Sequence, residues 1–171
     1  MDKPDYVLRK NLDSATSSIA IENLFNLSRW ANWNSSAKRI LSETKDNIDV
    51  GTRFDLHRIE NGRLVEEFWQ VDSAKKNTEP NYALLKLKWL GQNTNGKPTA
   101  GAILSLEIEI IIVCEKEGGI EISAWWKLTK LSRVLRIGNK IARNLVSGLF
   151  DDLCQNATIQ IKDSVDIDSL N

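Results

Sequence analysis

One histidine, two cysteines and three prolines in 171 residues leave several chemistries without material. His57 has no second histidine and no cysteine near it, so the spacings that hold zinc or iron are missing, and neither a metal nor another cofactor is expected. Ser17, Ser18 and Ser35 lack a histidine partner in a nucleophile motif, and no glycine-rich loop follows a strand to cradle phosphate. Those gaps remove the hydrolase and kinase readings. Cys114 in an apolar run and Cys154 late in a helical stretch suit core thiols rather than a disulfide framework. Charge of one sign is lacking too: 23 basic residues match 23 acidic ones, which gives no global footprint for nucleic acid, and no nucleic-acid partner is expected. The apolar run Ala102 to Cys114 is too short and too acidic to cross a bilayer, and MDKPDYVLRKNLD has no apolar signal core. A soluble, cytoplasmic protein is the expectation.

What the sequence does contain is two clean periodicities. From Arg39 onward, period-two stretches alternate with turn signals, and the pattern predicts strands near 39–47, 52–60, 63–72, 82–91, 102–116 and 119–130. Turns are predicted at Val50-Gly51, Asn61-Gly62, Glu79-Pro80-Asn81, Asn95-Gly96 and Gly118-Gly119, with Asn61-Gly62 the strongest hairpin signal. Leu104, Leu106, Ile108, Ile110 and Ile112 should face one way and Ser105, Glu107 and Glu109 the other; Ile120, Ile122, Ala124, Trp126 and Leu128 continue the inner face, as do Leu85, Leu87 and Trp89. Ahead of these, Tyr6 to Leu12 reads as an edge strand. A short helix capped by Ser17 or Ser18 follows through Phe25, and then a turn carries Trp30 and Trp33 on one face. The two indoles either pack as a lid on the core or line an opening.

The second periodicity is helical and runs from Leu131 to about Cys154. On its wheel Val134, Leu135, Ile141, Ala142, Leu145, Leu149 and Leu153 lie on one side and Arg133, Arg136, Lys140 and Arg143 on the other. Gly138 interrupts the apolar side, which suggests space left for a ligand or close approach of the helix backbone to the sheet. A single domain is expected over 1–155, with 156–171 as a polar, acidic, mobile tail.

The Trp30-x-x-Trp33 segment, the Val50-Gly51-Thr52-x-Phe54 strand opening and the Trp125-Trp126 strand end leading into the helix resemble the SRPBCC superfamily, which includes START-like lipid carriers and polyketide cyclase/dehydrase-like proteins. The resemblance covers about residues 5 to 155. It implies an α+β helix-grip fold: a curved antiparallel sheet of about seven strands around a long C-terminal helix, with two short helices after the first strand. It also implies a hydrophobic cavity between sheet and helix for a small apolar ligand such as a lipid or polyketide.

The residues expected to line that cavity are Trp30, Trp33, Phe54, Leu56, Trp69, Leu87, Trp89, Leu106, Ile108 and Trp126, with Leu135, Gly138 and Ala142 from the helix. One carboxylate should join them. Adjacent strand residues face opposite ways, so either Glu66 or Glu67 points inward; Glu67 keeps step with Val65, Trp69 and Val71, although the opposite register with Leu64 and Phe68 inside fits nearly as well. Inside an apolar cavity Glu67 would have a raised pKa and could act as an acid or base, whereas beside Arg53 or Arg58 it is simply a paired carboxylate. Alternation turns His57 to solvent. Ligand binding without catalysis is the leading reading, a polyketide cyclase/dehydratase-like enzyme using Glu67 the second, and a chaperone-associated or other protein-binding member of the fold the third. The basic stripe Arg133, Arg136, Lys140 and Arg143 is by default a solvated face, with weak contact to an anionic membrane as its functional alternative.

Overall fold

A computed structural model of the chain describes residues 2–43, 47–78 and 81–168. These form β1 (Tyr6–Asn11), α1 (Ser14–Leu24), α2 (Leu27–Trp33), β2 (Arg39–Ser42), β3 (Arg53–Glu60), β4 (Arg63–Thr78), β5 (Asn81–Thr94), β6 (Lys97–Pro98), β7 (Ile103–Val113), β8 (Gly119–Leu128), α3 (Lys130–Val134) and α4 (Gly138–Asp168). The strands make one antiparallel sheet in the order β1-β8-β7-β5-β4-β3-β2, with β6 paired to β5. This is the α+β, helix-grip arrangement expected from the sequence. Among the described residues no helix is long and apolar enough to cross a membrane.

Turn chemistry explains the strand order. Asn61 and Gly62 (φ 50° and 74°) close the β3–β4 hairpin, and Asn95 and Gly96 (φ 50° and 75°) close β5 onto β6. Both pairs occupy the two positive-φ positions of a type I′ turn, whose twist matches that of the flanking strands. β6 was not foreseen, because Gln92–Ala100 reads as a polar loop. The turn expected at Glu79-Pro80 lies outside the described residues, as does the 44–46 portion of the strand expected at 39–47.

Alternation then builds the core. Leu106, Ile108, Ile110 and Ile112 of β7 face Leu85, Leu87, Ile120 and Ile122 of the neighbouring strands on the inner side, all essentially buried. Each such side chain contributes about 1.5–3 kcal/mol on burial. The outer side is polar, with Lys86 Nζ 3.1 Å from Glu107 Oε2. Leu104 departs from the expected inner row: a register shift between Ile103 and Ser105 turns Ile103 inward and leaves Leu104 exposed.

The helices differ from expectation at three points. Asp13, not Ser17 or Ser18, caps α1, its carboxylate accepting from Thr16 N at 2.7 Å. The single helix expected from Leu131 is two helices. α3 ends in a Schellman motif in which Ile137 N donates to Ser132 O and Arg136 N to Arg133 O, with Arg136 at φ 57° in the left-handed position. α4 then starts at Gly138 and runs through Asp168, so residues 156–168, expected as a mobile tail with a weak strand alternation, are helical. Packing accounts for this extension: Ala157 is fully buried, and Asn23 of α1 donates its side-chain amide to Asn156 at 3.2 Å.

Candidate functional site

Three charged side chains interrupt the apolar inner face of the sheet. On β3 the inward positions run Phe54, Leu56, Arg58 and Glu60, and on β4 they run Val65, Glu67, Trp69 and Val71. Glu67 therefore points inward, only 5 % exposed. Both its oxygens are engaged. Arg58 Nε donates to Oε1 at 2.8 Å, and the Trp69 indole donates to Oε2 at 3.2 Å. Arg58 Nη1 lies 2.9 Å from Glu60 Oε2 at the more exposed edge. Burial works against the Arg58 charge, but Glu67, and after it Glu60, more than offset that and hold the guanidinium above its ordinary pKa. The carboxylate is thus both inward-facing and paired.

The triad sits in the wall of a cavity of about 400 Å³ between the sheet and α4. Leu56, Trp69, Leu87 and Ile108 line it from the sheet, Trp30 from α2, and Ile141, Asn144, Leu145, Gly148 and Leu149 from α4. A second space of about 170 Å³ shares Arg58, Glu60, Glu67, Ile141 and Leu145 and continues past Trp89, Gln92, Ile103 and Leu106. The first volume lies within the roughly 300–1,000 Å³ typical of small-molecule pockets. Ser36, Glu60, Ile141 and Asn144 are exposed at the rim.

Of the residues expected to line the cavity, the fold brings together Trp30, Leu56, Trp69, Leu87, Trp89, Leu106 and Ile108. Trp33, Phe54 and Ala142 are buried but lie in the packed core outside both spaces. The tryptophan pair packs onto the core, and of the two Trp30 also reaches the cavity wall. The Trp30 indole donates to Leu24 O and that of Trp33 to Asn23 O, their rings are 5.1 Å apart, and Trp30 meets Phe54 edge-on at 5.1 Å. Trp126 lies beyond the cavity, its indole bonded to Asn139 Oδ1 and its ring against Tyr6. Leu135 is exposed. Gly138 faces Leu128 and Ser132, where an added Cβ would come within 2.8 Å and 2.9 Å, so its role is close approach to the sheet.

Sequence reasoning missed the glycine that does face the cavity. A Cβ at Gly148 would meet nothing within 4 Å. Its signal was a helix-interior glycine between Leu145 and Leu149. Arg58 and Glu60 were also legible as continuations of the Phe54-Leu56 alternation. His57 lies on the outer face as alternation requires, but beside Glu66 at 3.7 Å its side chain is only 15 % exposed rather than turned fully to solvent. Trp125, on the outer face of β8, is half-buried beneath the Lys86 ammonium. Cys114 and Cys154 are free and buried; burial pushes the Cys154 thiol up to about 11. Among the described residues no cluster of metal-ligating side chains occurs.

No protein-family model matches the chain, and no curated protein does so in sequence. Solved structures do match in shape. The ZhuI aromatase/cyclase of Streptomyces sp. R1128 superposes with a TM-score of 0.60 at 10 % identity, over 91 % of this chain and 95 % of that one. A START superfamily protein of Mycobacterium smegmatis gives 0.59 at 10 % identity over 90 % and 98 %, and a point mutant of Thalictrum flavum norcoclaurine synthase 0.58 at 11 % over 94 % and 99 %. Identities this low speak to architecture alone. The chain has an SRPBCC-type helix-grip fold.

Proposed function

We propose that this protein binds a small, mostly apolar molecule, of the lipid or polyketide kind, in the space between α4 and the sheet. The observation that carries the reading is the cavity itself: about 400 Å³ left open where β3, β4, β5 and β7 turn aromatic and aliphatic side chains toward a helix that carries glycine at position 148. A site whose walls are apolar, and whose charged side chains are one guanidinium set between two carboxylates, favours a ligand with a long apolar body and a single polar end that carries no negative charge. Arg58 supplies that end with guanidinium protons beyond those given to Glu67 and Glu60. The names of the similar structures, an aromatase/cyclase and a synthase solved with dopamine and hydroxybenzaldehyde, supply precedents for small aromatic ligands on this fold. Two buried free thiols agree with a cytoplasmic working place.

The enzyme reading keeps one observation in its favour, the inward Glu67 at the cavity wall. Its bonds to Arg58 and Trp69 weigh against proton transfer, because both carboxylate oxygens already accept from the protein and neither is left free to reach a bound ligand. Contact with an anionic membrane through Arg133, Arg136, Lys140 and Arg143 accompanies the binding reading as a route for the ligand.

Native mass spectrometry of the purified protein, together with titration of an environment-sensitive apolar dye, tests the proposal. A co-purifying compound, or dye binding that Gly148→Phe abolishes while the fold persists, is the expected result. Equal dye binding by both proteins and no bound compound would refute it.

A further inference from the structure

α3 is inside out. Its one buried residue is Ser132, whose hydroxyl donates to Ala102 O at 2.6 Å, while Leu131, Val134 and Leu135 stand 68 %, 70 % and 55 % exposed. Leu131 and Leu135 are one turn apart, joined by the Leu135 N to Leu131 O bond. The left-handed Arg136 then turns the chain so that Ile137 and Ile141, 45 % and 42 % exposed, extend the apolar surface onto the first turn of α4. Exposed Leu104 lies beside Arg133. Aliphatic side chains gathered at such density on one corner mark a surface that something covers.

Charge indicates what covers it. Between Glu121 and Asp151 the chain carries Lys127, Lys130, Arg133, Arg136, Lys140 and Arg143 and no carboxylate. Among the described residues none of the six forms an ion pair; Arg143 lies over the Tyr6 ring, and the nearby Asp5 carboxylate accepts from Trp126 N. A second copy of the chain would bring like charges together. Bare aliphatic tips offer nothing for bases to stack on, which disfavours a nucleic acid. Aliphatic groups ringed by lysine and arginine match the boundary between acyl chains and anionic headgroups.

We infer that the α3–α4 corner docks on an anionic lipid bilayer, with Leu131, Val134, Leu135 and Ile137 entering the headgroup boundary and the surrounding basic side chains against the lipid phosphates and carboxylates. Ile141 belongs to this corner and also to the cavity rim, so docking brings the mouth of the cavity to the membrane face. Transfer of a lipid-like ligand along that route rests on the binding reading above; the docking does not.

The test uses the full chain without added ligand, co-sedimented with vesicles of phosphatidylcholine alone or mixed with phosphatidylserine. Binding to the anionic vesicles only, weakening as salt rises, is expected. Each basic side chain near such a surface changes affinity roughly five-fold, so the combined Arg133→Gln, Arg136→Gln and Lys140→Gln variant should bind about 100-fold more weakly. Combined Leu131→Ser, Val134→Ser and Leu135→Ser should also lose binding, with melting and apolar-dye uptake unchanged in both variants. The inference is overturned if the unaltered protein binds neither vesicle or both equally. It is overturned too if the serine variant binds anionic vesicles and soluble poly-glutamate as well as the unaltered chain does, which would indicate an acidic protein partner. Loss of dye uptake in step with vesicle binding would likewise sink it, because the corner would then be acting through the cavity.

Discussion

Asp13 holds the start of α1 through its carboxylate, which accepts from Thr16 N and makes this cap sensitive to pH. The Thr16 backbone and side chain lower its pKa from 3.8. A carboxyl whose folded pKa is depressed contributes stability that is present above the unfolded value and lost as pH falls through the folded one. Asp13→Ala should therefore cost about 1 kcal/mol at pH 7, while Asp13→Asn should cost little. Urea denaturation at pH 7 and again below pH 3 checks both: the gap between the parent and Asp13→Ala should narrow in acid. The sequence could not single out this residue because Asp13, Ser14, Thr16, Ser17 and Ser18 are all capping types. Which of them caps depends on where tertiary packing begins the helix, and Ser17 is fully buried. Arg136 is a second residue decided by local geometry. An L-residue in the left-handed region costs roughly 1–2 kcal/mol, so Arg136→Gly should stabilise the fold by about 0.5–1 kcal/mol net of its greater unfolded-chain entropy, visible as a higher melting temperature.

The strands were legible because alternation and turn chemistry report the same boundaries; Asn61-Gly62 sits in the turn its sequence demands. The helix break was not. Leu131 and Leu135 fall on the same wheel as Ile141, Leu145 and Leu149, and only the backbone turn at Arg136 separates them. Two helix glycines now make opposite forecasts. At Gly138, a new side chain must displace the Leu128 methyls and the Ser132 hydroxyl, which is tied to Ala102 O, so Gly138→Leu should overpack the joint at a cost of about 1–3 kcal/mol without affecting ligand uptake. At Gly148, open space awaits. Gly148→Ala should stabilise by up to about 1 kcal/mol through helix propensity, and Gly148→Phe should fill the cavity and abolish dye uptake. Thermal melting and dye titration of the three variants separate these outcomes.

At the scale of the whole molecule, the cavity exists because eight strands and α4 enclose more width than their apolar side chains fill, and the charged cluster occupies part of that width. From sequence, Glu67 was only favoured over Glu66 as the inward carboxylate; alternation along β3 already set Arg58, not Arg53, on the face of Phe54 and Leu56, and the β3–β4 register, with Leu56 opposite Glu67, brings the two within reach. That pairing carries the last prediction. Removing one member of a largely buried ion pair strands the other in an apolar wall, whereas replacing both with apolar groups of similar volume is often neutral or better. Glu67→Met leaves Arg58 with only the rim carboxylate of Glu60, and Arg58→Met leaves Glu67 with only the Trp69 indole. Each single change should cost about 1–3 kcal/mol, the lower end reflecting the 22 % exposure of the Arg58 side chain, which lets water screen it. The double variant should recover most of that loss, giving a coupling of about 1–3 kcal/mol in a double-mutant cycle measured by urea denaturation. It should also take up wholly apolar dyes at least as well as the parent while losing preference for ligands with a hydrogen-bonding end. A double variant as unstable as the sum of the singles would show that Arg58 and Glu67 act independently, and the cavity would then have no polar anchor of the kind proposed.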